Sequence, residues 1–292
     1  MRILLLGGTG QVGYELQRSL AHLGEIIAPS RSILDLMNKS AVEDCLNENS
    51  IDLIVNAAAW TDVDKAEDHK DAAQRLNADL PAQLAKYSAN KKIKLIHYSS
   101  DYVFNGSGSK PWNENSSIEP LNFYGKTKIK GDKSIQQSCL NYLIFRTSWV
   151  YSARGNNFMN SMLELAKNKT KLNIVSDQIG SPTPARLIAE VTALAVKARL
   201  ESGLYHLATR GETSWYVFAK AIFNLGIKAG LKLTLSSKNV NPIFTKEYPT
   251  PASRPLNSRM DSTKLETALN IKLPDWKSQL DLTFNERINL NT

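Results

Sequence analysis

The chain has 292 residues, of which 42% are hydrophobic and 22% charged, an ordinary globular composition that allows a sizeable core in one large domain or two small ones. No apolar run approaches the length of a membrane span, and residues 1–7 are too short an apolar run for a secretory signal. The net charge of +8 suits an anionic partner, but the basic residues are scattered and form no recognised nucleic-acid module.

The first predicted element is a short buried strand over Arg2–Leu6, which leads directly into a glycine-rich turn. Gly7, Gly10 and Gly13 have the Gly-x-x-Gly-x-x-Gly spacing, and an amphipathic helix is predicted over Gln11–Leu23. Glycines at this spacing permit a tight bend and close approach of a pyrophosphate, which the helix N-terminus then attracts. The stretch predicts dinucleotide binding rather than a merely structural turn. The predicted cofactor-binding residues are Gly7, Gly10, Gln11, Val12 and Gly13.

The second predicted strand, Glu25–Ala28, ends just before Ser30 and Arg31. Sites that prefer NAD usually hold an acidic residue here, for the ribose 2′-hydroxyl. A guanidinium would instead pair with a 2′-phosphate. Arg31 therefore favours NADPH, with NADH as the alternative if Arg31 points into water. Asp35 and Leu36 follow and are expected beside the adenine.

A helix over Lys39–Asn47 and a buried strand over Asp52–Asn56 come next. Small residues just past a parallel strand let a flat cofactor lie against the backbone. The predicted cofactor contacts in this loop are Ala58, Ala59, Trp60 and Thr61. A long helical region over Asp64–Asn90 is expected to break or kink at Pro81, which cannot donate a backbone hydrogen bond.

The strand Lys94–Tyr98 ends in Ser99-Ser100-Asp101, and a helix over Phe123–Gln137 carries Tyr124 and Lys128 near its start. Residues four apart share one face of a helix. An ammonium favours the ionised form of a neighbouring phenol, so Tyr124 could exchange a proton with a carbonyl or alcohol oxygen. Ser100 could hydrogen-bond that same oxygen. The alternative is a tyrosine and a lysine on a solvated helix face.

After a strand over Asn141–Arg146, the alternation of strands and helices predicts an α/β fold with a Rossmann-like, doubly wound parallel sheet. Later helices and strands predict a smaller C-terminal α/β part over the carboxyl edge of the sheet: Phe158–Lys167, Leu172–Val175, Ala185–Leu200, Gly203–Leu207 and Trp215–Ala229. We expect residues 1–150 to bind NAD(P), with later segments able to return to that sheet, and residues 151–292 to bind mainly substrate.

The motifs resemble those of the extended short-chain dehydrogenase/reductases, and more narrowly the dTDP-4-dehydrorhamnose reductase family. The resemblance runs from Met1 to about Arg259. Its generic blocks are Gly7–Gly13, Ser99–Phe104, Tyr124–Lys128 and Arg146–Tyr151. Its more specific blocks are Asn56–Ala59, Asp64–Glu67, Gly155–Phe158 and Pro249–Pro255.

This resemblance implies reduction of the C4 ketone of dTDP-4-dehydro-β-L-rhamnose, the last step of dTDP-L-rhamnose synthesis. Tyr124 would donate the proton, Lys128 would hold the nicotinamide ribose and lower the pKa of Tyr124, and Ser100 would polarise the ketone. The implied substrate-binding residues are Thr61, Val63, Ser100, Asp101, Tyr124, Trp149 and Arg254. A guanidinium at Arg254 or Arg259 suits a diphosphate, although either could be a surface arginine.

The resemblance also bears on metal binding. Some members carry Mg²⁺ at a dimer contact held by acidic residues. Glu15 is in place, but Arg186 stands where a second glutamate would be expected. We therefore predict no metal site, and the chain could be a monomer or a homodimer.

Three other functions remain open at this stage. A sugar-nucleotide epimerase needs the same tyrosine and lysine but retains NAD through its cycle. A non-catalytic NADP-binding regulatory subunit is a second alternative, made weaker by an intact Ser100, Tyr124 and Lys128. Nucleic-acid binding is the third. Cys45 and Cys139 lack metal-like spacing, so we expect free thiols and a cytoplasmic protein.

Overall fold

A computed structural model describes residues 1–290. In chain order its strands are β1 (Arg2–Leu6), β2 (Glu25–Ile27), β3 (Leu53–Asn56), β4 (Lys94–Ser100), β5 (Tyr142–Thr147), β6 (Val150–Tyr151), β7 (Leu172–Val175), β8 (Ile179–Gly180), β9 (Thr183–Pro184), β10 (Gly203–His206), β11 (Thr213–Ser214), β12 (Val240–Ile243) and β13 (Asn257–Ser258). Its α-helices are α1 (Gln11–Ser19), α2 (Lys39–Glu48), α3 (Lys70–Gln74), α4 (Leu80–Lys91), α5 (Phe123–Ser138), α6 (Phe158–Asn168), α7 (Ala185–Lys197), α8 (Trp215–Lys228), α9 (Thr263–Leu269) and α10 (Trp276–Asn289). None of the helices in this described part is long and apolar enough to cross a membrane.

The central sheet has six strands in the order β2-β1-β3-β4-β5-β10, and every neighbouring pair is parallel. The inner strands are almost continuous runs of buried aliphatic residues, as expected when helices cover both faces. One face packs under α1 and α7, and the other under α2, α4 and α5. The predicted Rossmann-like, doubly wound α/β fold is confirmed. The chain reverses direction across the sheet between β1 and β3, where ligands of such sheets bind.

The sixth strand comes from the C-terminal half of the sequence. Gly203–His206 pairs with β5 at the sheet edge, and α7 before it packs against α1. We predicted this strand as part of the smaller C-terminal region, because the sequence of a four-residue strand does not indicate which strand it pairs with. The main sheet therefore recruits a segment from beyond residue 150.

Two helices differ from their predicted bounds for local reasons. The first ends at Ser19 rather than Leu23, because the chain must turn so that Glu25 N–H can donate to the Met1 carbonyl at 2.9 Å. The long helical region breaks before Pro81 rather than at it. A π-helical turn over Arg75–Asp79 joins α3 to α4, and Pro81 lies in the first turn of α4, where its missing N–H costs little.

Most of the remaining elements form a smaller cluster at the carboxyl edge of the sheet, whereas α9 packs through Leu265 into the core of the main sheet. Its core packs α6, α8 and α10 against the parallel pair β7 and β12. The helices α9 and α10 and the two-residue strands were not predicted. In α10 the buried residues Trp276, Leu280 and Phe284 recur every fourth position, but polar residues between them hide the pattern.

Candidate active site

The helix α5 brings the predicted tyrosine and lysine to the carboxyl edge of the sheet. Its start is fixed by Asn122, whose side chain accepts from Gly125 N–H at 2.8 Å and donates to the Ser253 carbonyl at 2.8 Å. Tyr124 and Lys128 follow, four residues apart, and both are buried. They therefore lie inside the protein, and the alternative of a solvated helix face is wrong.

Lys128 reaches across from α5 to strand β4. Its Nζ donates to the Tyr98 carbonyl at 2.6 Å and lies 3.5 Å from His97 Nε2. Burial lowers the pKa of Lys128 to about 8, although the charge of Asp132, one turn further along the helix, acts in the opposite direction. At neutral pH the lysine is thus a cation held close to its deprotonation point.

The Tyr124 phenol lies next to the hydroxyl of Ser100, which ends strand β4. The Ser100 hydroxyl donates to Asp101 Oδ1 at 3.0 Å and accepts from Tyr102 N–H at 3.2 Å. Burial raises the pKa of the Tyr124 phenol, and this outweighs the opposite effect of the neighbouring Ser100 hydroxyl. The expectation of a lowered phenol pKa is therefore wrong for the protein itself. A phenol that stays protonated at neutral pH is the form that a proton donor requires.

Asp101 is a buried carboxylate directly behind this pair. Burial raises its pKa to about 6, and hydrogen bonds from Ser258 and Ser100 only partly offset that. Its Oδ2 has no hydrogen-bond partner among the described residues. A buried acceptor without a partner is a hydrogen-bonding position left unfilled by the described protein residues.

The glycine turn lies at the same carboxyl edge of the sheet, at the end of β1, with β3 between it and β4. Gly7 has a φ of 78°, and a Cβ there would lie 2.6 Å from Ala58 N, so only glycine fits. A Cβ on Gly13 would lie 2.0 Å from the Gly7 carbonyl oxygen. Gly10 precedes α1, and within residues 1–290 no side chain caps this helix. Its first N–H groups are thus available to a phosphate, and the turn fits a dinucleotide.

Gln11 joins the glycine turn to the C-terminal part of the protein. Its Oε1 accepts from Ser152 Oγ and from Asn157 Nδ2, each at 3.0 Å. Val12, the next predicted cofactor residue, instead packs against the core under α1. Of the two, only Gln11 has a polar side chain at the boundary of the two halves.

The cofactor loop after β3 is held from both ends. Ala58 N–H donates to Asn56 Oδ1 at 3.2 Å. Ala58, Ala59 and Trp60 are half-buried, whereas Thr61 is exposed. Val63 and Trp60 pack against the small cluster that contains Tyr124, so the loop does form one wall of the cleft.

One residue that the sequence did not indicate organises this wall. Asn77, in the π-helical turn, accepts from Trp60 N–H at 2.9 Å and donates to Thr127 Oγ1 at 3.1 Å. Thr127 in turn donates to the Tyr124 carbonyl at 2.7 Å. A π-helical turn often marks a functional site. No local pattern reveals Asn77, because its partners lie 17 and 50 residues away.

The residues expected near the adenine follow strand β2. Gly8 in the glycine turn is close to Ala28, since a Cβ on Gly8 would lie 3.1 Å from Ala28 Cβ. Arg31 follows three residues later and is exposed. Asp35 accepts from Met37 N–H at 3.1 Å, and Leu36 packs against the core beneath α2. Arg31 therefore stands free to meet a phosphate at this edge.

Trp149 follows strand β5, and its backbone has a strained conformation. Its φ of 49° is in the left-handed region, which is costly for a bulky residue. Its ring stacks on Trp215 with centroids 3.6 Å apart, and Trp215 Nε1 donates to Gln178 Oε1 at 3.1 Å. Such strain usually marks a functional position. Trp215 and Gln178 were not predicted, because they follow Trp149 at a distance in sequence.

Arg254 makes two side-chain contacts, and one of them leads to Tyr124. It donates to Asp64 Oδ2 at 2.6 Å and to Tyr102 Oη at 3.1 Å. The Tyr102 ring meets that of Tyr124 edge-on, with centroids 5.5 Å apart. Arg259, by contrast, is paired with Glu212 at 2.6 Å. Of the two candidate arginines, Arg254 is the one linked to Tyr124, through the ring of Tyr102.

A hollow of about 630 Å³ opens next to Arg254. Phe244, Tyr248 and Leu256 line it with exposed apolar surface, and Lys246 adds a positive charge. An aromatic wall beside two cations has the chemistry that a nucleoside diphosphate needs.

The position suspected of holding Mg²⁺ is filled by an ion-pair network. Arg186 Nε lies 3.3 Å from Glu15 Oε2, and its Nη2 lies 3.0 Å from Glu286 Oε1. Because the guanidinium groups of Arg186 and Arg154 already pair with these two carboxylates, the residues do not fit a divalent cation. Across residues 1–290 no group of three or more His, Cys, Asp or Glu side chains is placed to hold a metal.

Comparison with known proteins agrees with this geometry. The sequence model described as the RmlD substrate binding domain matches residues 1–288. The chain is 46% identical over 285 residues to the dTDP-4-dehydrorhamnose reductase of Salmonella typhimurium, covering 95% of both proteins. It is 45% identical to the Escherichia coli K12 reductase, covering 98% of both.

Solved structures give the same result. The Clostridium acetobutylicum dTDP-4-dehydrorhamnose reductase superposes with a TM-score of 0.89 at 33% identity, covering 100% of both chains. The Bacillus anthracis reductase, solved in complex with NADP, also gives 0.89, at 34% identity, covering 98% of this chain and 99% of that one. The Thermus thermophilus UDP-glucose 4-epimerase, at 17% identity, shares the fold alone. The resemblance seen in the motifs is confirmed: the chain belongs to the dTDP-4-dehydrorhamnose reductase family.

Proposed function

We propose that this enzyme reduces the C4 ketone of dTDP-4-dehydro-β-L-rhamnose to give dTDP-L-rhamnose, using NADPH, as the last step of dTDP-L-rhamnose synthesis. The observation that carries the proposal is the burial of Ser100, Tyr124 and Lys128 at the same carboxyl edge of the sheet as the Gly7–Gly13 turn. The relatives at 45% and 46% identity are named as this reductase.

Each residue then has a defined task. Bound NADPH supplies the hydride that is added to C4. Tyr124 donates its phenolic proton to the ketone oxygen, and the Ser100 hydroxyl holds that oxygen in place by a hydrogen bond. Lys128 binds the ribose next to the nicotinamide, and its charge stabilises the phenolate that remains on Tyr124. The product alcohol thus gains one hydride and one proton.

The sugar nucleotide is inferred to extend from Tyr124 towards the C-terminal part, residues 151–292. Thr61, Val63, Asp101 and Trp149 would surround the sugar. Arg254 would contact the diphosphate, exchanging part of its bond to Asp64 for a phosphate oxygen. The hollow bordered by Phe244 and Tyr248 offers a place for the base. Neither a nucleic acid nor a membrane is needed as a partner.

Two alternatives fit less well. An epimerase would retain NAD, whereas Arg31 suits the 2′-phosphate of NADPH, and the epimerase structure is similar at only 17% identity. A regulatory subunit would not need the buried Ser100, Tyr124 and Lys128. We also propose a cytoplasmic location, in agreement with the free thiols Cys45 and Cys139. The oligomeric state that we infer is a monomer or a homodimer.

The deciding experiment is an NADPH-oxidation assay with dTDP-4-dehydrorhamnose, run against other nucleotide keto-sugars. We expect turnover with the dTDP-linked 4-keto-6-deoxy sugar to exceed that with the others, and the purified enzyme to carry no bound NAD. Equal turnover of all keto-sugars would contradict the assigned substrate. Tightly bound NAD with no net oxidation would favour the epimerase.

Replacing Arg31 with alanine tests the cofactor preference. We expect the Kd for NADPH to rise about tenfold or more, since a charge-assisted phosphate contact contributes ~1.5–3 kcal/mol, while the Kd for NADH stays nearly unchanged. Fluorescence titration with each cofactor measures this. Lys91→Ala removes the same charge at the opposite edge of the sheet and serves as the control. If Arg31→Ala weakened both cofactors equally, the guanidinium would have no role at the 2′-phosphate.

A further inference from the structure

Lys128 ends a row of three buried polar side chains, whose other members are Asn56 and His97. Asn56 ends β3, and His97 is its direct partner in β4. Asn56 Nδ2 lies 3.2 Å from His97 Nδ1, and His97 Nε2 lies 3.5 Å from Lys128 Nζ. Their relative exposures are 1%, 0% and 2%, so water does not compete for these contacts. The interior position of His97 in β4 is that of a packed core histidine. It is buried, but it faces the catalytic lysine.

The hydrogen-bond pattern fixes which nitrogen of His97 carries the proton. Ala58 N–H donates to Asn56 Oδ1 at 3.2 Å, which turns the Asn56 NH₂ group towards His97 Nδ1. An amide nitrogen can only donate, so Nδ1 must accept and the proton of a neutral imidazole sits on Nε2. The Nε2–H group therefore points at Lys128.

The Nε2–H donor of His97 therefore faces the Lys128 ammonium, which can itself only donate hydrogen bonds. In its charged form Lys128 donates to the Tyr98 carbonyl at 2.6 Å, whereas the Nε2–H group of His97 cannot accept a hydrogen bond from it. In its neutral form the amine lone pair can accept from Nε2–H. Burial and Lys128 together lower the pKa of His97 well below its usual value, so the imidazole stays neutral and keeps this tautomer.

The other groups around Lys128 do not reverse this bias. Asp132 on α5 favours the ammonium, but its Oδ2 is shared by Arg146 at 3.1 Å and by Ser99 at 2.9 Å, and Asp132 and Arg146 are fully buried. Tyr124 on α5 is neutral at pH 7 because burial raises its pKa. His97 is therefore the group in contact with Lys128 whose orientation decides between donor and acceptor.

We propose that Asn56 and His97 are positioning residues that aim a fixed hydrogen-bond donor at Lys128 and so set the pH at which this lysine loses its proton. The reaction consumes the proton of Tyr124, and Lys128, one helical turn away on α5, is a cation able to replace it. A lysine that loses its proton readily can serve that step, whereas one anchored by acceptors cannot. This role rests on the proposed reductase function, but the titration of Lys128 can be measured without it.

The test is an NMR titration of Lys128 in protein labelled with ¹³C at the lysine Cε, assigned by loss of the signal in Lys128→Met. In His97→Gln a carbonyl oxygen can face the ammonium, and we expect the midpoint to rise by about one pH unit, as a new acceptor for a charged group does. Asn56→Asp would draw the imidazole proton to Nδ1 and present the Nε2 lone pair to Lys128, with a similar rise. The alkaline limb of kcat/KM should move by the same amount in both variants.

A double variant separates the tautomer from the added charge. In His97→Phe combined with Asn56→Asp, no imidazole transmits the change, so the rise should be clearly smaller than in Asn56→Asp alone. An unchanged midpoint in both His97→Gln and Asn56→Asp would overturn the proposal, even if activity fell. A shifted midpoint in a protein that reduces no keto-sugar would support the role of His97 while contradicting the proposed function. If His97→Gln does not fold, Asn56→Asp alone decides the outcome by the same titration.

Discussion

Replacing Tyr124 with phenylalanine is expected to lower kcat by ~10²–10⁴-fold, the usual contribution of a positioned proton donor. The ring of Tyr124 packs with Tyr102 and lies in the cluster that holds the cofactor loop, and phenylalanine preserves that packing. NADPH affinity should therefore stay close to that of the wild type. Steady-state NADPH oxidation gives kcat, and fluorescence titration gives the cofactor Kd.

The matched control is Tyr87→Phe, which removes a phenol hydroxyl bonded to the Leu46 carbonyl at 2.6 Å, away from the catalytic residues. Its kcat should be unaffected. Turnover of Tyr124→Phe within a few-fold of the wild type would rule out the phenol as the proton donor. A loss of NADPH binding equal to the loss of kcat would show that the hydroxyl acts in binding rather than in proton transfer.

Replacing Lys128 with methionine should abolish most activity and yet stabilise the fold. The pKa of Lys128 is lowered from 10.5 to about 8 by burial, so the unfolded chain binds its proton more tightly than the native protein does. Removing the charge relieves about 3 kcal/mol at pH 7, and losing the hydrogen bond to the Tyr98 carbonyl costs about 1 kcal/mol. The net expectation is a free energy of unfolding higher by about 2 kcal/mol.

The pH dependence gives a second check of the same variant. Between pH 8 and 10.5 the unfolded wild-type chain still carries the Lys128 proton while the native protein has lost it, so this residue makes stability rise with pH across that window. Lys128→Met should lack this rise. Urea unfolding at pH 7 and pH 10 measures both effects, with the exposed Lys126→Met as the neutral control. A destabilised Lys128→Met protein at pH 7 would show that the ammonium contributes more by its contacts than it loses by burial.

The parts of the fold that the sequence predicted are those with a local cause. Buried aliphatic runs and glycine spacing define the first strand and turn, and an i,i+4 pair places Tyr124 and Lys128 on one face whatever surrounds them. The strand Gly203–His206 could not be assigned to the main sheet, because its partner Tyr142–Thr147 is remote in sequence. The same limit applies within the site.

Asn77, Trp215 and His97 acquire their roles only from contacts made across the fold. His97 is the clearest case, since its position on a strand was known but its neighbour was not. Side chains on adjacent parallel strands align by register, and the register here pairs Asn56 with His97. The phenol pKa was misjudged for a related reason: the depth of burial of Tyr124 is a property of the whole cleft.

The side-chain amide of Gln11 links the glycine turn to the C-terminal part of the molecule. Its oxygen is held by Ser152 and Asn157, while its backbone begins the helix that would receive the cofactor phosphates. A shift of Gln11 at the start of the helix would therefore also shift Ser152 and Asn157. We expect that binding of NADPH alters the affinity for the sugar nucleotide. Thermodynamic reciprocity then requires that sugar nucleotide and NADPH change each other's dissociation constant by the same factor.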